Sequence, residues 1–541
     1  MASTAQRSVL GRHVVRNAQQ YGETRNSFLR QTRTTTSDAA ISCVRQCVGA
    51  GSGRRGLVTF ATAAAGHRRP LLLSSVGLSS RDIKARSDNP FRSERTPFVA
   101  LDSSRTRRTM ATHADPTTQQ VRRDSAMSNV EEAYEAVVVG AGPAGITAVG
   151  NLLEQGLEKI LWVDEYFNGG RVNQYYREVP SNTKVKLFID YAQALSPFRE
   201  IVGGAQAQDG STTATTKASS EDKLRALRQL DQEKGCNLGH AADMCLILTE
   251  GLKQHPSITA HLGRISEGSL DPTSQTWTLS LPNSSNTIQT QRLVLCTGSS
   301  PLDPPLPFSP PNEIRHINLD DALSPTNLQS LLSPLGPTTV AVIGASHSAV
   351  LVLMNLSHIA LTSKSDLRIK WFTRHPLRYA EYYDSYIARD NTGLKGEAAD
   401  WAKRNLEEGK LEKSDVGKVV QKVAYQKGEE ESVYREHLRD GKTGFVVQAI
   451  GYSRNPIPEL KFSNGKEIEE VKFDHDRGCF WYGKEGEKKV LPGVYGAGIA
   501  FPQRVVDKKY GHEEFNVGFF KFMKAVKGWV GGWKDGVKVE A

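Results

Sequence analysis

A chain of 541 residues with 38% hydrophobic residues is long enough for several packed domains, and its formal net charge of +10 comes largely from an arginine-rich beginning. That basic stretch lacks the aromatic interleaving of a nucleic-acid surface. No apolar run reaches the roughly 18 residues needed to cross a bilayer, LLLSSVGLSS being too short and too polar. A G-x-S-x-G elbow, an HExxH motif and Cys/His sets at metal-ligand spacing are all absent, so hydrolytic and zinc chemistry have no apparatus in the sequence.

Residues 1–60 carry nine arginines against Glu23 and Asp38, and arginines continue through Arg108. This composition predicts a disordered basic leader over 1–130 whose early part resembles a mitochondrial presequence, with Met110 and Met127 as internal starts for a cytoplasmic form. The segment Val137–Gly145 then reads VVVGAGPAG: an apolar strand, a glycine turn and a helix start, followed by the apolar run ILWVD ending at Asp164. Gly140 permits the tight turn, Gly142 leaves room for a pyrophosphate, and Gly145, next to Ala144, lets the helix approach the sheet. The helix N-terminus then faces the phosphates, and Asp164 stands where a carboxylate accepts ribose hydroxyls. The polar stretch GGRVNQYYREVPSNTKVKLF follows, in which Arg171, Asn173 and Lys184 are the catalytic candidates, beside Ser181, Asn182 and Thr183. A polar insertion is expected near 205–222, and a proline-rich bridge over 301–337.

A second unit, TVAVIGASHS, places Gly344, Ser346 and Ala349 at the three glycine positions. The strand after it closes not on an acid but on TRHPLR, where Arg374 suits the 2′-phosphate of NADPH better than the bare ribose of NADH. His347 would lie near the phosphates, with a charge-assisted contact and a plain helix-start role both open. Tyr379, Tyr382, Tyr383 and Tyr386 recur at spacings of three and four, as on one helical face that either packs or walls a cavity. The late segment VGFFKFMKAVKGWVGGW reads as an amphipathic basic helix that packs on the core, meets a second copy or touches a membrane surface.

Two nucleotide units imply a redox cofactor and its reductant. With VVVGAGPAG, Asp164 and Gly169–Gly170, then RLVLCTGSSP with Thr297 and Gly298, FVVQAIGYSRNP with Gly451, and LPGVYGAGIAFP with Gly496 and Gly498, the chain resembles the two-dinucleotide-binding-domain flavoproteins. Within that superfamily it is nearest to the flavin-containing and N-hydroxylating monooxygenases. The resemblance implies an α/β fold: a discontinuous FAD-binding Rossmann-like domain (133–335 and 448–541) with an inserted NAD(P)-binding Rossmann-like domain (336–447). It implies FAD at Gly140, Gly142, Ala144, Gly145, Asp164, Gly170, Thr297, Gly298 and Gly498, and NADPH at Gly344, Ser346, His347, Arg374 and Gly451.

Two departures limit the chemistry. Gly498 is followed by Ile499 where the family carries an acid, and no close cysteine pair exists outside Cys43 and Cys47 in the leader, which argues against disulfide reduction. His316 is reminiscent of a linker histidine in flavin monooxygenases, although the rest of that fingerprint is absent. The expected function is NADPH-dependent oxidation of a small organic substrate with molecular oxygen. An NAD(P)H:acceptor reductase of the quinone type and a catalytically weak nucleotide-binding protein are the alternatives. Homo-oligomerisation and peripheral membrane contact stay open.

Overall fold

The computed structural model describes residues 131–203, 224–282, 286–310, 313–484 and 486–535; the leader, Cys43, Cys47 and the insertion near 205–222 lie outside the described residues. Continuous apolar runs become parallel strands buried on both faces. In the first unit, β1 (Ala136–Val139) leads through the glycine turn into α1 (Pro143–Glu154) and β2 (Ile160–Asp164). Pro143 sits in the first turn of α1, where its missing N–H costs nothing. After β2 come α2 (Arg171–Tyr175), α3 (Val185–Ala192), α4 (Leu238–Lys253) and β3 (Ile258–Leu262), and β4 (Leu293–Leu295) returns beside β1.

The second unit repeats the pattern. A two-residue edge strand β5 (Arg315–His316) and α5 (Leu319–Leu323) precede β6 (Thr338–Ile343), α6 (His347–Thr362) and β7 (Leu367–Thr373). A hairpin of β8 (Glu381–Tyr383) and β9 (Tyr386–Ala388), α7 (Gly396–Asn405), β10 (Val420–Ala424) and β11 (Thr443–Gln448) complete it. The order β5-β11-β6-β7-β10 is parallel throughout. The edge strand β5 joins this sheet although it lies within the bridge expected over 301–337.

After β12 (Tyr452–Arg454), the chain re-enters the first sheet with β13 (Lys472–Asp474), β14 (Cys479–Tyr482) and β15 (Lys489–Gly496). That sheet has seven strands in the order β13-β14-β15-β4-β1-β2-β3. A hairpin of β16 (Gln503–Val506) and β17 (Glu513–Asn516) then leads to α8 (Phe519–Asp535). Helix α8 buries Met523, Val526, Trp529, Val530 and Trp533 in the same core as α1, so the amphipathic segment packs rather than standing free. Each such side chain contributes roughly 1.5–3 kcal/mol. No helix among the described residues is long and apolar enough to cross a membrane.

The tyrosine-rich stretch departs from its helical expectation. Tyr382 and Tyr383 pair with Ile387 and Tyr386 across a turn at Asp384 and Ser385, and the Tyr383 and Tyr386 rings stack with centroids 4.8 Å apart. A three-residue spacing closes a tight hairpin as readily as a helical face, and tyrosine favours the strand. The segment after this hairpin is clasped to the β16–β17 hairpin through two carboxylates. Asp507 accepts from the backbone N–H groups of Arg389, Lys509 and Tyr510. Glu514, with its side chain 2% exposed, accepts from Thr392 Oγ1 (2.6 Å), from Asn391 N (3.0 Å) and Nδ2 (3.1 Å), and pairs with His512 Nε2 (3.2 Å). Asp507, His512 and Glu514 bring ligand-type atoms within 4.8 Å of one another, yet every carboxylate oxygen is already taken by a protein donor. The trio is an acceptor hub.

These hydrogen bonds hold the Glu514 carboxyl below its ordinary range despite burial. A depressed carboxylate stabilises the fold above its ordinary pKa, and that contribution is lost as the pH falls through the folded value. Glu514→Gln should therefore cost about 1–3 kcal/mol near neutral pH. In thermal unfolding across pH, Tm should be lower than in the wild type at neutrality, with the gap narrowing on acidification. A gap that stays constant with pH would contradict the charged role.

Candidate dinucleotide sites and the cluster between them

The first turn leaves space at one position and none at its neighbours. Gly140 has φ +108°, and a Cβ there would lie 2.3 Å from the Cys296 carbonyl oxygen; at Gly145 a Cβ would lie 1.7 Å from the Gly140 oxygen. At Gly142 the nearest atom would be the Gly170 Cα at 3.8 Å, an open approach of the kind a pyrophosphate needs. Gly142 caps α1 with no side-chain hydrogen bond, and no acid stands in the first turn, so the amide groups of the helix start face that space unneutralised. Gly170, at φ +72°, comes so near that its Cβ would lie 2.8 Å from the Gly142 Cα. Gly498, at φ +89°, closes on Ala144, where a Cβ would lie 2.4 Å from the alanine Cβ. The late motif therefore meets the helix start through backbone, with Ile499 in place of the family's acid.

Asp164 spends its carboxylate on the chain. One oxygen accepts from Ala141 N (2.7 Å), the other from Tyr166 N (2.8 Å) and Phe167 N (2.7 Å). A carboxylate offers about four acceptor positions, so capacity for a ribose hydroxyl is reduced rather than lost. Thr297 and Gly298 form the return turn, where Asn455 Nδ2 donates to the Thr297 carbonyl (2.8 Å) and Asn455 N to that of Gly298 (3.1 Å).

The second turn is built alike. Gly344 has φ +135°, and a Cβ there would lie 2.3 Å from the Ala449 oxygen. Ser346 caps α6 without using its hydroxyl for the helix, donating instead to the Ala449 carbonyl (3.4 Å), and the first turn again carries no acid. Burial pushes the His347 imidazole down to about 4, aided by the Lys395 charge, so it is neutral near pH 7. Burial favours the plain hydrogen-bonding role at the helix start over the charge-assisted phosphate contact, both of which the sequence left open. Arg374 stands one residue past β7, 41% exposed, with Nη1 donating to Glu430 Oε1 (3.1 Å). Gly451, at φ +123°, follows β11.

Sequence reasoning missed a feature shared by both units. Trp162 Nε1 donates to the Gly140 carbonyl (2.9 Å) and Trp371 Nε1 to that of Gly344 (2.7 Å), each from the strand after the helix. The signal was the tryptophan in both ILWVD and IKWFT.

The three catalytic candidates do not converge. Lys184 lies in solvent, paired with Glu233 at 2.6 Å, and Asn173 accepts from Arg177 Nη1 at 2.7 Å. His316 pairs with Asp303 (2.6 Å) on the edge of the second sheet. Arg171 alone enters a buried cluster, ion-paired with Asp320 and lying 4.7 Å from the Tyr175 ring centroid. Tyr176 Oη donates to the other Asp320 oxygen (2.7 Å) and meets Tyr452 Oη at 3.5 Å. Among the described residues, seven buried side-chain polar atoms have no partner; three of them, Thr297 Oγ1, Arg171 Nε and His347 Nδ1, lie in the two nucleotide motifs or between them. Such groups cost free energy unless something bonds them. Together with the open Gly142 and the uncapped helix starts, they fit FAD at the first turn and NADPH at the second.

Cys245, Cys296 and Cys479 are buried free thiols, and burial pushes their pKa values up, Cys296 to about 12. Thiolate exchange has no participant among them.

Two Rossmann-type units, each with a glycine turn at an uncapped helix start, define an oxidoreductase class that uses FAD and NADPH. Residues 134–498 match the family described as Pyridine nucleotide-disulphide oxidoreductase. The chain is 46% identical over 397 residues to the monooxygenase AgnR1 of Paecilomyces divaricatus, covering 72% of this chain and 96% of that protein. Among solved structures it is similar to the cyclohexanone monooxygenase from Rhodococcus sp. Phi1 bound to NADP+ (14% identity, TM-score 0.44, 75% of this chain and 84% of that one). It is similar also to a flavin-containing monooxygenase from Stenotrophomonas maltophilia (12% identity, TM-score 0.43, 75% and 99%). The chain belongs to the pyridine nucleotide-disulphide oxidoreductase family.

Gly142→Val fills the open approach, whereas its neighbours are closed by backbone already. The purified variant should fold and lose its flavin absorbance; flavin occupancy equal to wild type would sink the placement of FAD at this turn.

Proposed function

We propose that this protein is an FAD-dependent monooxygenase that draws electrons from NADPH and places one oxygen atom of O2 in a small organic substrate, the second oxygen leaving as water. The observation that carries the reading is the 46% identity to a monooxygenase over 96% of that relative's length. Disulfide reduction, the other activity in the family's description, lacks a thiol pair among the described residues.

In this reading residues 133–335 and 448–541 form the FAD-binding domain and 336–447 the NADPH-binding domain, except that β5 and α5 belong to the second unit by their pairing and core. Bound FAD supplies the two-electron carrier between NADPH and oxygen. The chain's own residues bind, orient and exclude water. The α1 amides and Gly140, Gly142, Ala144 and Gly145 hold the FAD pyrophosphate, Asp164 the ribose, and Gly170, Thr297, Gly298 and Gly498 close around the rest. Gly344, Ser346 and neutral His347 hold the NADPH pyrophosphate, and Gly451 lets the chain pass close to it. Arg374 exchanges Glu430 for the 2′-phosphate, a partner of greater charge. Residues 1–130 act as a basic leader directing the longer form to mitochondria, and starts at Met110 or Met127 give a cytoplasmic form.

The oxygen step is tested by supplying 18O2 with NADPH and candidate substrates. One 18O atom per product, with NADPH consumed in equal amount, is expected. NADPH oxidation coupled only to an added quinone, with no label in any product, would replace the monooxygenase with a reductase. Arg374→Ala should raise KM for NADPH about tenfold or more while leaving that for NADH nearly unchanged, the loss of a charge-assisted contact. Equal effects on both would remove the 2′-phosphate role.

A further inference from the structure

Between the two turns lies a polar cluster whose members come from three separate segments. Arg171 opens α2 directly after Gly170, the residue against which Gly142 packs. Asp320 belongs to α5, where Asn318 Oδ1 accepts from its backbone N–H (2.9 Å). Tyr452 follows Gly451 as the first residue of β12, three residues after Ala449, whose carbonyl accepts from Ser346 Oγ (3.4 Å) at the start of α6, and it packs against the core of the second unit. Tyr176, just past α2, completes the chain of contacts from Arg171 through Asp320 to Tyr452.

Asp320 is the center of this chain. Its side chain is 7% exposed, and both oxygens are engaged, one by the Arg171 guanidinium and one by the Tyr176 hydroxyl. A carboxylate at that depth is tolerated only when paired and hydrogen-bonded. Such a contact is strong and directional, and it specifies one arrangement of the segments that make it. Tyr176 and Val179 also pack into the core of the second unit, so the segment leading away from the first turn is anchored in the neighbouring unit by both apolar and ionic contacts.

We propose that Asp320 is a positioning residue that sets the geometry of the NADPH-binding turn relative to the FAD-binding turn, holding Arg171 beside the first and, through Tyr176, the Tyr452 segment that meets the second. This rests on the functional reading above. Asp320 acts through its partners. Transfer between two bound cofactors depends steeply on their separation and alignment, and an error near 1 Å costs about a hundredfold in rate. The cluster lies where such an error would originate.

Asp320→Asn keeps the shape of the side chain and removes its charge, leaving the Arg171 guanidinium without its counter-ion. The full chain with its flavin is compared with wild type in three measurements: flavin-to-protein ratio, the change in the oxidised flavin spectrum on adding NADP+, and anaerobic flavin reduction by NADPH. The expected variant keeps its flavin and binds NADP+ within about threefold of wild type. It loses the NADP+-induced spectral change and is reduced at least tenfold more slowly at saturating NADPH, the pattern of misplacement rather than lost binding. Tyr452→Phe, which leaves the Arg171–Asp320 pair intact, should keep its flavin and show a weakened spectral change. A spectral change and reduction rate within twofold of wild type in Asp320→Asn overturn the proposal. If that variant does not fold, an unaltered spectral change in Tyr452→Phe overturns it. A wild-type protein whose flavin NADPH fails to reduce takes down the functional reading as well, which separates the two failures.

Discussion

The architecture depends on one close approach made twice: a glycine carbonyl and Cα pressed against the backbone of the neighbouring strand's end, with no room for a Cβ. Gly140 meets Cys296 and Gly344 meets Ala449 in this way, and a side chain at either would lie 2.3 Å from a carbonyl oxygen. Each glycine N–H donates to the strand after the helix, Gly140 to Val163 (2.8 Å) and Gly344 to Phe372 (2.9 Å). Each carbonyl accepts an indole N–H from a tryptophan on that strand. The turn is thus fixed from three sides, and the helix that follows is aimed with its free amide groups outward. Anion binding at that point is a consequence of backbone geometry.

Two such turns become a redox device only when they are held in register, and the chain does this with contacts that cross between the units. The Arg171–Asp320–Tyr176–Tyr452 cluster joins the segments beside the turns. Farther out, Asp507 and Glu514 bind the Arg389–Thr392 backbone and side chains to the β16–β17 hairpin. Both sets use buried or half-buried carboxylates with their acceptors filled, interactions that specify geometry more than they add net stability. Three of the seven unpartnered atoms among the described residues, by contrast, lie in the nucleotide motifs or between them. Polar capacity stays open at Thr297, His347 and the Nε of Arg171, while the carboxylates of the joints are filled.

The parts legible in the sequence were those encoded locally. VVVGAGPAG and TVAVIGASHS became strand, turn and helix because their burial pattern and glycine positions lie within a few residues of one another. The tyrosine run was misread because spacings of three and four fit a hairpin turn as well as a helix, and only pairing partners distinguish them. Lys184 was drawn in by a polar neighbourhood that proved to be solvated, with Glu233 as its partner. Asp320 could not be found from sequence, since its two partners lie 149 and 144 positions away and no local pattern announces them. His347 is the first residue of α6, and its charge state follows from burial, which sequence does not carry.

If the two turns serve two cofactors, one chain holds FAD and NADPH at the same time. Equilibrium binding of NADP+ to the flavin-loaded protein tests it most directly, with flavin content followed in the same sample. One tightly held flavin per chain and one further NADP+ bound without displacing it are expected. Displacement of flavin by NADP+, or no NADP+ binding while flavin is present, would mean that the two turns do not serve two cofactors and would contradict it.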